Sequence, residues 1–240
     1  MNKRSILILS FVIITIVLYI AFTITNKNSN NICVNATPST SKVIVLDAGH
    51  GKPDEGAVGI YGTTEEAINL KITLKLKALL EESGATVILT RSDENGIYSS
   101  ECTTIKSKKI SDIKNRVKIG NSEGVDIFVS IHLNKFQQEK YRGWQAFFQE
   151  KSEDSKALAT CIQEGLNNEI SEYHNDRVPL KLSKIYIMDN VKAPTVTIEC
   201  GFLSNKEEAK LLEEDEYQSR LAWGIFEGIQ NYFIKKETEG

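Results

Sequence analysis

Four side chains in this sequence can bind a metal ion or carry a proton, and each stands beside a regular pattern. His50 follows the apolar run "KVIVLD", His132 ends "DIFVSIH", and Glu199 ends "TVTIE". Glu65 stands at the start of a helical pattern, just after a glycine-rich loop. Two histidines and one carboxylate can form a tetrahedral zinc site with an open position for water. A second carboxylate beside that water can transfer protons, so the set suits hydrolysis.

Each of these residues also has an ordinary explanation when it is taken alone. Most polar groups, including a histidine after a strand, are satisfied by local hydrogen bonds. Acids in the first turn of a helix, here Glu65 and Glu66, interact favourably with the helix dipole. Glu199 is harder to explain in this way, because a carboxylate that ends the run "APTVTIE" risks burial and then needs a partner or a metal. The third histidine, His174, lies in a polar loop and is assigned to the surface.

Other catalytic groups have less support in the sequence. The chain contains neither the HExxH motif of helix-borne zinc proteases nor the G-x-S-x-G motif of serine hydrolases. Cys200 follows Glu199 in a strand pattern, so its side chain points to the opposite face and packs in the core. The cysteines form no CxxC pair and their spacing predicts no disulfide, which favours structural thiols. They are Cys33, Cys102, Cys161 and Cys200.

The four candidate residues can meet only if strands that are distant in the sequence share one sheet. The predicted strands are "KVIVLD", "TVILT", "DIFVSIH", "WQAFFQ", "KIYIM" and "TVTIE". The predicted helices are 64–82, a segment through Ile110, Ile113 and Val117 that ends near Gly124, 152–170, "KEEAKLLEE" and 217–233. This alternation predicts an α/β fold, a single domain with a largely parallel central sheet flanked by helices.

The edge of such a sheet is where the candidate residues are expected to lie. Ligands of parallel sheets bind beyond the carboxyl ends of the strands, and three of the candidates end or follow predicted strands. The helix that carries Glu65 has its own boundary signals. Thr63 and Glu66 fit a capping box at its start, and Gly84 fits its C-terminal stop.

The first part of the chain predicts a membrane attachment outside the folded domain. Residues 1–4 are basic and predict a cytoplasmic start. Residues 5–24 carry no charge and are long enough to span a bilayer, as a transmembrane anchor or uncleaved signal, with a cleaved signal as the alternative. Residues 25–41 are rich in Asn, Ser and Thr and predict a flexible linker. Residues 42–240 then form the domain on the outer side of the membrane.

The charge balance argues against a nucleic-acid partner. The chain has 29 Lys and Arg residues against 32 Asp and Glu residues, a formal net charge of −3 at pH 7. No long basic block interrupts this balance, whereas nucleic-acid-binding domains concentrate Lys and Arg on one face. We therefore expect no nucleic acid among the partners.

Four segments, in this order, resemble the motifs of one enzyme family. They are "LDAGHGKPDEGAVG", "GTTEEAINL", "SIHLN" and "IECGFLSN". Together with "RGWQAFF" and "NKEEAKLL", they resemble the zinc-dependent N-acetylmuramoyl-L-alanine amidases of the amidase-3 family, from Val43 to about Ile229. The resemblance implies that residues 42–240 are an amidase-3 catalytic domain. Such an enzyme cleaves the amide between N-acetylmuramic acid and L-alanine in peptidoglycan.

The resemblance also implies a role for each site residue. His50, Glu65 and His132 match the ligands of Zn²⁺, and Glu199 matches the catalytic carboxylate. Glu65 aligns with the ligand position better than Glu66, because the ligand precedes the "NL" pair by four residues. Zinc would polarise the amide carbonyl and acidify a water, and Glu199 would carry the proton to the leaving nitrogen.

Residues next to the expected ligands have two interpretations. Asp47 and Asn134 are predicted either to orient the ligands by hydrogen bonds or to serve local hydrogen bonding in their loops. The family usually has proline where Ala48 stands and glycine where Lys52 stands. Both departures lie beside the first ligand and bear on loop rigidity and metal affinity.

The domain layout most resembles one branch of the family, the sporulation-specific amidases of endospore formers. That branch acts on spore-cortex peptidoglycan, in a step toward muramic-δ-lactam and germination. The resemblance implies a membrane-anchored enzyme whose domain faces the forespore or spore cortex. Because a wall hydrolase needs control and this chain has no evident internal plug, we hypothesise an exported activating protein that stabilises the metal-bound state.

Two other classes of function stand as alternatives. A metal-dependent peptidoglycan deacetylase would use Asp47, His50 and His132, but it would leave "IECGFLSN" without a role. A non-catalytic, membrane-tethered wall-binding protein would not need an intact set of four site residues. The zinc content of the purified protein distinguishes these classes best.

Overall fold

The computed structural model describes residues 37–173 and 175–239. The predicted cytoplasmic start, the predicted anchor and most of the predicted linker 25–41 lie outside the described residues, as does His174. Within the described ranges, no helix combines the length and the apolar character needed to cross a bilayer.

Strands and helices alternate through the described residues, as the sequence predicts. The strands are β1 (Val43–Ala48), β2 (Thr86–Leu89), β3 (Ile127–Asn134), β4 (Gln145–Gln149), β5 (Leu180–Leu182) and β6 (Thr195–Phe202). The helices are α1 (Glu65–Glu82), α2 (Ile105–Gly120), α3 (Glu153–Glu169), α4 (Tyr186–Asn190), α5 (Lys206–Leu211) and α6 (Asp215–Glu239). Gly84 follows α1 with φ +84°, a conformation that suits glycine and ends the helix as expected.

The strands form one sheet in the order β2-β1-β3-β6-β4-β5. Strands β2, β1, β3 and β6 are mutually parallel, whereas β4 is antiparallel to β6 and carries β5 as its parallel neighbour. The predicted α/β fold with a largely parallel sheet flanked by helices is confirmed. The carboxyl ends of β1, β3 and β6 therefore meet at one edge of the sheet.

The two faces of the sheet are covered unequally. Helices α1, α3 and α6 cover one face and enclose the large apolar core, to which the strands contribute residues such as Ile44, Val129 and Ile198. Cys200 belongs to this core and is fully buried, as strand alternation predicts. Helices α2 and α4 cover the opposite face with a smaller apolar cluster around Phe128. We call this opposite face the α2 face.

The structure corrects the prediction of a strand at "KIYIM". This segment runs into helix α4, and the edge strand β5 lies earlier in the chain. A short apolar run fits a strand or a helix equally well. Tertiary packing decides here, because helical spacing puts Ile187 and Val191 together in the apolar cluster of the α2 face.

The structure also corrects two predicted helix boundaries. The capping box of Thr63 and Glu66 does not form, because the N-cap of α1 is Thr64 and its side chain makes no capping hydrogen bond. Helix α2 ends at Gly120 rather than near Gly124. Backbone propensity predicts that these helices exist but leaves their ends uncertain by a few residues.

The last residues of the predicted linker pack onto the domain. Ser39 is fully buried, its backbone N–H donates to Gln230 Oε1 at 3.1 Å, and its hydroxyl hydrogen-bonds Ser83 Oγ at 2.7 Å. The compact unit therefore begins at Thr37 rather than at Lys42.

Candidate metal centre

Sheet register brings His132 and Glu199 side by side. The two residues are partners in the parallel ladder between β3 and β6. Successive side chains of a strand alternate between faces, so residues in register on neighbouring strands point to the same face. The sheet alone therefore holds one predicted ligand next to the predicted proton carrier.

His50 reaches the same edge on a tight loop after β1. It has φ +62°, a left-handed conformation that is uncommon for residues other than glycine. A Cβ placed on Gly49 would clash with the imidazole ring of His132, 2.7 Å from its Nδ1. The glycine before His50 is thus required by the close approach of backbone and ring. The two imidazole centroids lie 5.1 Å apart.

The carboxylate of Glu65 joins the two histidines. Glu65 is the first residue of α1, and its Oε1 lies 3.2 Å from His50 Nε2 and 3.0 Å from His132 Nδ1. One candidate ligand atom from each of the three residues lies within 4.8 Å of the others. The backbone N–H groups of Ala57 and Leu133 donate to the same carboxylate at 2.8 and 3.1 Å, which holds it in place.

The neighbouring acid, Glu66, points away from the histidines. It is buried beside Arg91, whose Nη1 lies 4.0 Å from Glu66 Oε2, and Thr64 Oγ1 donates to its Oε1 at 3.2 Å. The structure therefore brings Glu65, and not Glu66, to both histidines. This arrangement agrees with the alignment of Glu65 on the family's ligand position.

The electrostatics of the cluster favour a bound cation. Burial alone would raise the pKa of Glu65, but hydrogen bonds from His132 and His50 outweigh it and hold the pKa well below its usual range. Burial alone would lower the pKa of His50, but hydrogen bonds to Asp54 and Glu65 outweigh it and raise the pKa to about 9. A firmly ionised carboxylate thus faces two imidazole rings, and the cluster stabilises positive charge there. A cation that displaces the ring proton would meet two ring nitrogens and one carboxylate oxygen, which are donors that Zn²⁺ binds.

Glu199 has an unused carboxylate oxygen. Burial raises its pKa, an effect that Glu65 reinforces and that His132 and His50 partly offset. Its Oε2 is buried and has no hydrogen-bond partner among the described residues. Because buried polar atoms are normally satisfied, this oxygen has capacity for a further polar group at the site. A carboxyl group with a raised pKa is suited to accept and return a proton near neutral pH.

Asp47, one of the two residues predicted to orient the ligands, contacts Arg116 and two hydroxyl groups. It is fully buried and accepts hydrogen bonds from Thr90 Oγ1 at 2.7 Å and Ser130 Oγ at 2.6 Å. It also pairs with Arg116 Nη1 at 2.5 Å. Burial would raise its pKa, but Arg116 and the two hydroxyl groups outweigh it and lower the pKa below its ordinary value. Asp47 is therefore an ionised anchor for Arg116.

Asn134, the other predicted orienting residue, makes local contacts. Its Oδ1 accepts from the backbone N–H of Lys135 at 2.8 Å, and its carbonyl oxygen accepts from the N–H of Leu203 at 2.8 Å. These bonds join the end of β3 to the segment after β6. A role in orienting the ligands stays a prediction for this residue.

Two buried arginines hold the loop that carries His50. Arg116 donates to the carbonyl oxygens of Ala48 and His50, and Arg91 donates to those of Ala48 and Gly49, both at 2.9 Å. Neither arginine is predicted from the sequence, because neither lies in a motif around the candidate ligands. One weak sequence feature points to Arg116: it stands next to the apolar Val117, on the buried side of α2.

Asp54 is a further residue of the site that the sequence patterns do not predict. Its Oδ2 lies 3.1 Å from His50 Nδ1, and its Oδ1 lies 2.8 Å from Lys109 Nζ. A carboxylate on the far ring nitrogen of a metal-binding histidine fixes the orientation of the ring. The sequence feature that could have predicted this contact is the position of Asp54, an acid in the same short loop, four residues after His50.

Comparisons with known proteins agree with this geometry. The family model described as N-acetylmuramoyl-L-alanine amidase matches residues 44–231. The chain is 34% identical over 228 residues to the germination-specific N-acetylmuramoyl-L-alanine amidase of Bacillus subtilis (strain 168). This alignment covers 95% of this chain and 95% of that protein.

Two solved structures share the fold. The CwlD amidase from Clostridioides difficile, solved in complex with the GerS lipoprotein, has a TM-score of 0.79 and 45% sequence identity, covering 81% of this chain and 100% of that chain. The second structure is the catalytic domain of CwlV, an N-acetylmuramoyl-L-alanine amidase from Bacillus (Paenibacillus) polymyxa var. colistinus. It has a TM-score of 0.67 and 31% sequence identity, and the match covers 80% of this chain and 97% of that chain. With the family match over most of the described domain, these likenesses show that the chain belongs to the N-acetylmuramoyl-L-alanine amidase family and is a peptidoglycan amidase.

Proposed function

We propose that this amidase depends on Zn²⁺ and that His50, Glu65 and His132 hold the metal. The observation that carries the proposal is the convergence of the three donor atoms within 4.8 Å of one another. The carboxylate of Asp54 behind His50 supports it, because ligating histidines in zinc sites commonly donate their other ring N–H to such a group.

The residues of the chain then divide the catalytic work. When bound, Zn²⁺ supplies a Lewis acid for the scissile carbonyl and lowers the pKa of water at the site. Glu199 accepts the proton of the attacking water and returns it to the leaving nitrogen of L-alanine. Its burial, its raised pKa and its unpartnered Oε2 support this role. Asp54 and Arg116 position His50 from outside the ligand set.

The proposed substrate is spore-cortex peptidoglycan, where removal of stem peptides is a step toward muramic-δ-lactam and germination. The germination-specific relative, which aligns over 95% of both proteins, supports this setting. In the same proposal, residues 5–24 anchor the chain and the domain lies outside the membrane, at the forespore or spore cortex. The length and lack of charge of this segment support the anchor.

An exported partner protein is the proposed source of control. The structural relative from Clostridioides difficile was solved with a lipoprotein, and Ala48 and Lys52 depart from the family pattern beside the first ligand. Coupling between partner and metal must be reciprocal, so each would increase the affinity for the other. Titration of the purified chain with zinc tests this. Tight stoichiometric binding and full cleavage activity without a partner would overturn it.

The chemistry is tested by comparing three variants of the purified full-length chain. We expect Glu65→Gln to lose zinc, and Glu199→Gln to retain zinc while its cleavage rate falls by about 10²–10⁴-fold. Glu66→Gln is the matched control and should retain zinc. If Glu66→Gln abolishes zinc binding and Glu65→Gln does not, the ligand assignment is wrong.

The reaction itself is identified from the digested substrate. Mass spectrometry of peptidoglycan should show new free N-termini on L-alanine and intact N-acetyl groups. Loss of acetyl groups with the stem peptides still attached would support the deacetylase. Tight peptidoglycan binding with neither change would support a non-catalytic wall-binding protein.

A further inference from the structure

A cleft opens beside the candidate metal centre on the α2 face of the sheet. Its volume is about 310 Å³, and His50 and His132 line it at the sheet edge. The wall opposite the sheet is built by α2 and the start of α4, through Lys108, Ile113 and Ile187. The proposed hydrolysis gives these wall residues no part.

The acids that line this cleft are already paired with cations. Asp54 lies 2.8 Å from Lys109 Nζ, and Asp112 Oδ2 lies 2.5 Å from Arg116 Nε. Arg116 also pairs with Asp47, so it is shared by two carboxylates. Both cations, Lys109 and Arg116, are therefore already engaged by acids of the protein and are not free to bind an anionic ligand.

Lys108 is the exception among the cations of the cleft. Its Nζ lies 4.7 Å from the centroid of the Tyr98 ring, and within the described part of the chain it forms no ion pair with a carboxylate. The ring holds the ammonium group in place without neutralising it. The side chain is half-buried, so less of its charge is screened by water than for a fully exposed lysine. The cleft therefore presents one anchored ammonium group that no carboxylate of the described residues contacts.

The size of the cleft indicates which part of the substrate it can hold, the glycan strand or the stem peptide. A glycan strand continues past the scissile bond in both directions and needs an open groove. A stem peptide ends after a few residues and fits a bounded cleft of this volume. The residue that follows L-alanine in such peptides is a D-glutamyl residue joined through its side chain, which leaves an α-carboxyl group that is free or amidated.

We propose that the cleft binds the stem peptide and that Lys108 binds the α-carboxylate of the residue after L-alanine. Ile113 and Ile187 supply apolar contact on the same wall. The proposal rests on the proposed function in one respect, because the scissile amide must lie at His50 and His132. It makes Lys108 a specificity-determining residue that distinguishes free from amidated stem peptides.

The test measures binding of released peptide, which requires no turnover. The zinc-loaded full-length chain is titrated calorimetrically with two stem tripeptides, identical except that the α-carboxyl of the D-glutamyl residue is free or amidated. We expect the free acid to bind about 5–10-fold more tightly, the range between a surface ion pair and a charge-assisted hydrogen bond. Lys108→Met should abolish this preference, and Lys108→Arg should keep it.

Lys114→Met is the matched control, because this lysine is exposed on the same helix outside the cleft. It should leave the preference unchanged. An equal affinity of the wild type for both tripeptides, or a preference that survives Lys108→Met, would overturn the proposal. Failure of the proposed function would appear differently, as absence of peptide release from peptidoglycan whatever the tripeptide affinities.

Discussion

The two histidines of the candidate metal centre are held in different ways. His132 lies within β3, where its ladder with β6 sets its position beside Glu199. His50 lies in a loop with φ +62° and is held by side chains, namely Arg116 and Asp54. A ligand in a central strand takes its rigidity from the backbone hydrogen bonds of the sheet. A ligand in a loop must take its rigidity from side chains that are placed elsewhere in the chain.

This difference has an energetic consequence. The loop is held by a buried pair of Asp47 and Arg116, and removing one member of a buried ion pair leaves an uncompensated charge. Removing a hydroxyl group from a strand leaves the ladder intact. Substitutions on the loop side of the centre should therefore have larger effects on stability and zinc binding than substitutions on the strand side.

The largest effect is expected for Arg116→Met. The change leaves Asp47 as a buried charge without its ion-pair partner, and it removes the Arg116 hydrogen bond to the carbonyl oxygen of His50. The carbonyl oxygen of Ala48 also loses Arg116 but keeps its hydrogen bond from Arg91. We expect the free energy of unfolding to fall by about 3–5 kcal/mol, with loss of zinc. Urea denaturation and metal analysis measure the two effects.

Arg220→Met is the control for Arg116→Met. Arg220 also pairs with two carboxylates, Glu169 and Glu172, but it lies partly exposed at the surface. Such pairs contribute about 1 kcal/mol or less. Equal losses for the two variants would show that the loop network has no special role.

The next effect is expected for Gly49→Ala, at the contact between the loop and β3. The added Cβ would overlap the ring of His132, so either the ring or the loop must move. Overpacking of this kind costs about 1–3 kcal/mol, and we expect zinc affinity to fall with it. Gly124→Ala is the control, because Gly124 has φ +78° in open space. It should lose about 1–2 kcal/mol of stability, because alanine is strained at positive φ, and it should retain zinc. A Gly49→Ala protein that retains zinc as fully as Gly124→Ala would contradict the required close approach.

A smaller effect on stability is expected for Asp54→Asn. The amide keeps the size of the side chain but loses the charge that holds His50 Nδ1 at 3.1 Å. We expect zinc affinity to fall by about 10–100-fold, with little change in melting temperature. Competition with a chromogenic chelator measures the affinity. Asp215→Asn, at an exposed ion pair with Lys75, serves as the control and should bind zinc normally. Unchanged zinc affinity in Asp54→Asn would show that His50 does not need this partner.

The smallest effect is expected for Ser130→Ala, on the strand side. Ser130 Oγ donates to Asp47 at 2.6 Å, while Thr90 and Arg116 supply further contacts to the same carboxylate. Loss of one such hydrogen bond costs about 1 kcal/mol. Zinc content should not change, because β3 still holds His132. A loss of zinc as large as in Gly49→Ala would remove the distinction between loop and strand.

Sequence patterns predict the part of the site that depends on strands. Apolar runs end at His132 and Glu199, and parallel strands align their carboxyl ends, so the sheet and its chemically active edge follow from local periodicity. Local periodicity does not predict the roles of Arg91 or Arg116. Their partners are backbone carbonyl oxygens of a distant loop, and no spacing along the chain encodes such contacts.

The sequence by itself determined the α/β class, the strands that carry His132 and Glu199, and the burial of Cys200, because these depend on periods of two and 3.6 residues within one segment. The family resemblance favoured Glu65 over Glu66, but residue periodicity did not separate the two acids, and the tertiary structure is what brings Glu65 to the histidines. Only the tertiary structure decided that "KIYIM" enters a helix. It also decided where the cleft beside Lys108 lies. These outcomes depend on contacts between segments that are far apart in the chain, and local propensity contains no information about which distant surface a side chain will meet.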